Sequence, residues 1–182
     1  MNKSKTRDYV LCALFAALIA IGAFIKIPVP VVPFTLQFLF TTLAGLLLGP
    51  RLGAMSVLLY IVVGLIGIPV FAEGGGLGYV FKPSFGYLLG FALGAAIAGY
   101  IAERAASLTV GRLAWGNFLN LLVVYLTGMV YFYCISNFYL DKPIAIWPLI
   151  LYCFILAVPG DAVLCYVAAV LGKRLIPILK RR

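Results

Sequence analysis

An all-α polytopic membrane protein, a compact bundle of six transmembrane helices with both termini in the cytoplasm, is the fold class this sequence predicts. Three observations carry it. Apolar residues make up 65% of the 182-residue chain and charged residues only 10%, against about 25% charged in ordinary soluble domains. Those apolar residues come in runs long enough to cross roughly 30 Å of hydrocarbon, which takes about 20 residues per helix. Helices and closed barrels are the two ways to satisfy backbone polar groups in lipid, and the short alternating segments of a barrel do not appear.

The predicted spans are residues 9–25, 34–48, 52–71, 84–102, 115–138 and 147–171. The first follows Lys3, Lys5 and Arg7 and could pass for a signal peptide, but it is long for one and no clear small-residue cleavage site separates it from the next run. Spans two and three meet at Gly49-Pro50-Arg51, a turn signal that makes them a tight helical hairpin. With the N-terminus inside, the inner side holds Lys3, Lys5, Arg7, Arg51, Arg104, Arg112, Lys173, Arg174, Lys180, Arg181 and Arg182, and the outer side only Lys26, Lys82 and Lys142. Cytoplasmic loops carry the excess of Lys and Arg, so this bias sets the orientation. Trp115 and Trp147 then sit at opposite interfaces, where amphipathic rings gather. Without a linker, low-complexity tract or internal repeat, residues 1–182 read as one domain.

Composition excludes several chemistries. The net charge of +9 belongs to the flanks of the spans and does not point to nucleic acid. There is no histidine, which removes the usual general base and the commonest metal ligand. Cys12, Cys134, Cys153 and Cys165 all fall in apolar runs without zinc or disulfide spacing and are expected as buried, inert thiols. No metal site is predicted.

Five features remain as candidates for function. Ala13, Ala16, Ala17 and Ala20 give the first span two overlapping small-xxx-small pairs, a groove for a closely approaching helix inside or outside the bundle. The segment from Ile27 to Gln37 holds Pro28, Pro30 and Pro33, which fix φ and withdraw backbone donors. It is too apolar to hang in water, and reads either as a lid over an apolar pocket or as a stiff connector in the headgroups. The run Glu73-Gly74-Gly75-Gly76-Leu77-Gly78 resembles a phosphate cradle but lacks the Gly-Lys-Ser/Thr ending of a P-loop, so this chain does not hydrolyse ATP by itself. Lys82 stands just before Pro83 at the outer mouth, either as a ligand partner or as a snorkelling lysine. Asp161 is the one charge deep in a span, a costly placement that is usually functional; the plainer reading bonds it to a tyrosine such as Tyr125. A straight helix from Trp147 would put Asp161 roughly 21 Å down, out of direct reach of Lys82.

Read in order, PVVPFTLQ (from Pro30), LGPRLGAMSVLL (from Leu48), GLIGIPVFAEGGGLG (from Gly64), PSFGYLLGF (from Pro83) and Pro159-Gly160-Asp161 resemble the BioY family, the biotin-binding S components of energy-coupling factor transporters. These blocks run over nearly the whole chain. The resemblance implies a non-enzymatic protein of a prokaryotic plasma membrane. It would capture biotin from outside and join a transmembrane coupling subunit and two ATP-hydrolysing subunits, with no cofactor of its own. In that family the alanine motif of the first helix contacts the coupling subunit; the matching positions are Ala13, Ala16, Ala17 and Ala20.

Biotin carries a ureido head with two N–H donors and one carbonyl, an apolar thioether ring, and a valerate carboxylate. Its pocket therefore needs an acceptor, a cation and apolar walls. The expected assignment pairs Lys82 with the carboxylate and Asp161 with the ureido N–H groups, with Phe34, Thr35, Gln37, Ser84, Phe85 and Tyr87 around the ligand; the reverse orientation stays open. The chain departs from the D-x-x-K pattern of many relatives, because Leu164 stands where the lysine would be, and Lys82 is expected to compensate. Rival readings are an S component for another vitamin such as thiamine or riboflavin or for a biotin precursor, and a sensor or facilitator acting alone. An intramembrane aspartyl protease would need a second carboxylate, which the spans do not contain.

Overall fold

A computed structural model describes residues 3–27, 34–105 and 107–180, with side chains from Lys5 to Leu179 outside the gaps. Helix α1 (Lys3–Phe24) leads through a bend at Ile25 into β1 (Lys26–Ile27), which pairs antiparallel with β2 (Phe34–Thr35), Lys26 opposite Thr35. Pro28, Pro30 and Pro33, and with them the body of the expected lid, lie outside the described residues. The expected second span therefore starts later than its first apolar residue: Phe34 and Thr35 are strand, and the helix begins at Gln37.

Helix α2 (Gln37–Leu65) is two helical arms that meet at a kink. Gly49 sits at φ 85°, ψ 177° with Pro50 after it, a left-handed φ that glycine adopts at no steric cost. Along a straight helix Gly45 and Gly53 would be about 12 Å apart, yet a Cβ on Gly53 would stand 2.6 Å from the Gly45 Cα. The chain doubles back at Gly49, as the turn signal implied. The second arm stops at Leu65, short of the expected Phe71, because Gly67 (φ 110°) and Pro69 cannot continue it. Phe71 is nonetheless buried: its ring fills the space over Gly64. A single 3₁₀ turn (Leu77–Phe81) completes this cap segment.

Helices α3 (Phe85–Glu103) and α4 (Val110–Phe138) follow. The first agrees with expectation to one residue; the second starts five residues early, where Thr109 Oγ1 accepts from the Arg112 N–H at 3.4 Å and caps it. The expected last span is not one straight helix. It consists of α5 (Ile146–Ile150), a π-helical turn (Leu151–Ile155) and α6 (Val158–Lys180). Pro159 has no N–H to give and its ring would clash with the carbonyl four residues back. The backbone widens ahead of it, the Leu156 N–H reaching the Leu151 carbonyl at 3.2 Å. Asp161 lies in the first turn of α6 instead of midway along a straight rod.

Among the described residues, five helical stretches are long and apolar enough to cross a membrane, counting α2 once and α5 to α6 once, and the chain is a multi-pass membrane protein. Where α1 begins and α6 finishes, the core is built of small and aliphatic side chains, among them Phe15, Ala44, Ala98, Leu113, Ala168 and Ile176. Toward the cap it turns aromatic, with Phe38, Tyr60, Phe71, Tyr79, Tyr87 and Tyr125. Small residues bring backbones together: a Cβ on Gly45 would lie 2.2 Å from the Ala95 carbonyl oxygen, so α2 and α3 touch main chain to main chain. Three of the four cysteines are buried as expected, but Cys134 is exposed because α4 turns that face outward beside Val130. Trp115 and Trp147 are both exposed.

Candidate functional site

The aromatic half of the core holds two small, partly open cavities that share a wall. The first, about 50 Å3, is lined by Phe34 and Thr35 from β2, by Phe38, by Tyr87 and Phe91 of α3, by Val124 and Tyr125 of α4, and by Tyr152, Cys153, Ala157 and Asp161. The second, about 60 Å3, is lined by Gln37, Ala72, Tyr79, Ser84, Tyr87, Leu88 and Phe91. Tyr87 and Phe91 belong to both. Larger grooves, at Val62 to Leu77 and at Leu126 to Ile150, lie open on the surface and present no charged side chain.

Asp161 is 8% exposed and reaches the first cavity because the π turn and Pro159 rotate the start of α6 toward it. The Tyr125 hydroxyl donates to Asp161 Oδ2 at 2.5 Å, the structural bond expected as the plainer reading, and the same carboxylate stands at a cavity wall. Tyr87 packs over Gly128, whose Cβ would meet the ring at 2.5 Å, and stands edge-on to Tyr125 at 6.0 Å. Its buried hydroxyl has no hydrogen-bond partner among the described residues, an unusual state for a buried donor.

Of the residues expected around a ligand, Phe34, Thr35, Tyr87 and Asp161 meet at the first cavity, and Gln37, Ser84 and Tyr87 at the second. Phe85 is buried against Tyr131, ring centroids 5.9 Å apart, and lines neither. Lys82 also lines neither. Its ammonium donates to the Glu73 carbonyl at 2.9 Å, lies 3.5 Å from the Glu73 carboxylate, and stands 5.0 Å from the Tyr79 ring centroid. Tyr79 in turn lines the second cavity and bonds Ser84 at 3.3 Å; burial raises its phenol above the ordinary value. Leu164 is buried.

Sequence reasoning missed Phe38, Tyr79, Phe91, Tyr152 and Cys153 as wall residues. It also missed Asn117 and Asn120, fully buried on α4, which donate to the Cys165 carbonyl at 2.9 Å and to Thr42 Oγ1 at 2.8 Å. Two amides three residues apart in an apolar span were the available signal, since they share a helix face. The four alanines of α1 divide: Ala16 and Ala20 turn toward the bundle, while Ala13 and Ala17 are exposed.

Comparison with known proteins adds a second line. A family model described as "BioY family" matches residues 1–181. A protein of Lysinibacillus sphaericus named "Probable biotin transporter BioY" is 42% identical over 180 residues, covering 99% of this chain and 92% of that one. The "Biotin transporter BioY" of Rhodobacter capsulatus is 37% identical over 177 residues, with 92% of each chain covered. In three dimensions the chain resembles the crystal structure of the S-component for biotin from an ECF-type ABC transporter. The TM-score is 0.79 at 26% identity, covering 96% of this chain and 93% of that one.

Proposed function

This chain belongs to the BioY family, and from that premise we infer that it captures biotin as the S component of an energy-coupling factor ABC transporter. The observation that carries the inference is Asp161, a buried carboxylate set at a cavity of aromatic walls beside Phe34 and Thr35 of β2. With one oxygen held by Tyr125, the other accepts from the ureido N–H groups. Phe34 and Tyr87 pack on the thioether ring. The valerate runs past Tyr87 into the second cavity, along Gln37 and Ser84, and its carboxylate draws Lys82 away from Glu73. Phe85 backs the site by holding Tyr131.

A vitamin-sized ligand needs roughly 300 Å3 or more, far above the free volume of either cavity. Joining the two at their shared wall gives only about 110 Å3, so binding requires the walls to move outward as well as Tyr87 to yield. A phenol without a partner is the group that loses least by moving, and gains most from a ligand acceptor.

Counting the two arms of α2 separately gives six crossings of the bilayer. The Lys and Arg bias then places both termini in the cytoplasm and the cap segment outside, in the plasma membrane of a prokaryote and as a single domain. The open edge of α1 at Ala13 and Ala17, with Ala16 and Ala20 beneath it, receives the transmembrane coupling subunit. Two ATP-hydrolysing subunits supply the energy, and the chain itself holds no cofactor. Purification from biotin-containing medium should yield protein carrying biotin, displaced by added biotin and by no other member of a vitamin panel. Uptake into a biotin-requiring host should depend on the coupling and ATPase subunits. Thiamine or riboflavin in the purified protein would overturn the assignment, and uptake without those subunits would make the chain a facilitator.

A further inference from the structure

We propose that Tyr60, which lines neither cavity, is the positioning residue that fixes the direction of the hydrogen bonds at the site; the proposal rests on the biotin-capture reading. Four groups form one chain. Thr35 Oγ1 lies 3.1 Å from Gln37 Oε1, Gln37 Nε2 lies 2.7 Å from the Tyr60 hydroxyl, and that hydroxyl lies 3.1 Å from the Val70 carbonyl oxygen. All three side chains are buried, Tyr60 at 1% exposed. It spans the first turn of one arm of α2, the second arm, the strand β2 and the cap segment.

The polarity of this chain follows from its last member. A carbonyl can only accept, so the Tyr60 proton is committed to Val70. The Tyr60 oxygen is then an acceptor toward Gln37, which requires the amide nitrogen, and not the amide oxygen, to face it. With the nitrogen so placed, the amide oxygen faces Thr35, and the Thr35 proton is committed in its turn. Reversing Gln37 would set two oxygens against each other at 2.7 Å with no proton between them. One backbone carbonyl in the cap thus decides the orientation of a side chain on the far wall.

The consequence reaches the first cavity, which Thr35 lines. Its hydroxyl, already accepting the Gln37 backbone N–H at 3.4 Å, has one lone pair left and no proton to give. The Tyr125 proton is likewise committed, to Asp161. Thr35, Tyr125 and Asp161 therefore all present acceptors, with the Tyr87 hydroxyl, shared with the second cavity, as the donor beside them; the three together select a ligand group rich in N–H donors over a carboxylate. On the other side, the second amide proton of Gln37 is left as a donor for the second cavity, which Gln37 lines. Tyr60 sets both preferences without touching the ligand.

The test titrates purified full-length wild-type protein, Tyr60→Phe and Gln37→Met by calorimetry with biotin and with biotin methylated on one ureido nitrogen. Each variant breaks the chain at a different link: Gln37→Met removes the acceptor of the Thr35 proton, and Tyr60→Phe frees the Gln37 amide to reverse and release that proton toward the cavity. The expected result is that preference for biotin over the methylated derivative falls about fivefold or more in both variants, the scale of one misdirected hydrogen bond. A purely structural role would weaken both ligands equally; preference kept at the wild-type value in either variant that folds overturns the proposal. Wild-type protein that binds neither ligand overturns the biotin reading itself, a separate and distinguishable outcome.

Discussion

Tyr125 and Asp161 are joined by a hydrogen bond of 2.5 Å between α4 and the first turn of α6, at the wall of the first cavity. A charged acceptor buried in an apolar bundle is costly, and the phenol lowers that cost while using only one of the two carboxylate oxygens. The arrangement leaves the other oxygen outside that bond, and the proposed site gives it to a donor on the ligand.

Replacing Asp161 by Asn keeps the shape and removes the charge. Hydrogen bonds to a charged group contribute about 1.5–3 kcal/mol, so biotin affinity should fall by about 10- to 100-fold while the protein stays monodisperse in detergent. Equilibrium titration decides it, and an affinity within twofold of wild type would remove Asp161 from the site.

Lys82 offers a sharper contrast, because it is engaged with Glu73 and lines neither cavity. If its ammonium transfers to the ligand carboxylate, Lys82→Ala should weaken biotin by more than tenfold, about 1.4 kcal/mol. Glu73→Gln should bind at least as tightly as wild type, since it frees the lysine. Equal, small losses in both variants would identify the pair as a fastener of the cap alone, exposed ion pairs being worth about 0–1 kcal/mol.

What the sequence disclosed and what it hid divide along physical lines. The hairpin at Gly49-Pro50 was readable because a left-handed φ and a missing donor are properties of the residues themselves. Asp161 stood out because an isolated charge in an apolar run needs a reason, and Tyr125 was nameable as its partner. The π turn at Leu151–Ile155 was not readable: nothing in Leu-Tyr-Cys-Phe-Ile distinguishes an i→i+5 turn from an α-helix, and only the strain imposed by Pro159 in three dimensions creates it. Phe38, Phe91 and Tyr152 escaped because an aromatic ring facing a cavity and one facing lipid look alike in a hydropathy trace. Tyr60 escaped for the same reason, its role residing in a bond to the Val70 carbonyl across the cap.

The close approach of α2 to α3 gives a prediction about stability that is separate from the ligand. A methyl group at Gly45 would meet the Ala95 carbonyl oxygen at 2.2 Å, and main chain cannot step aside as a side chain can. Gly45→Ala should lower stability by about 1–3 kcal/mol, read as a fall in the thermal midpoint in detergent. Gly111→Ala, where a Cβ would meet nothing within 4 Å, should leave the midpoint where it is. A Gly45→Ala protein as stable as wild type would mean that the two helices are free to part.

If the coupling subunit docks on α1 as proposed, substitutions at its alanines should separate assembly from binding. Ala17 is exposed on the open edge of the helix, whereas Ala16 is 8% exposed and packs into the core. A tryptophan at Ala17 projects from the bundle and disturbs no internal contact, but it fills the groove that a second helix would need to approach closely. Ala17→Trp should therefore keep biotin affinity within twofold of wild type in the purified protein and abolish uptake in cells that also express the coupling and ATPase subunits. Ala16→Trp forces a large ring into a packed interior and should lower the thermal midpoint whether or not a partner is present. Uptake that survives Ala17→Trp would move the partner surface off this edge of α1.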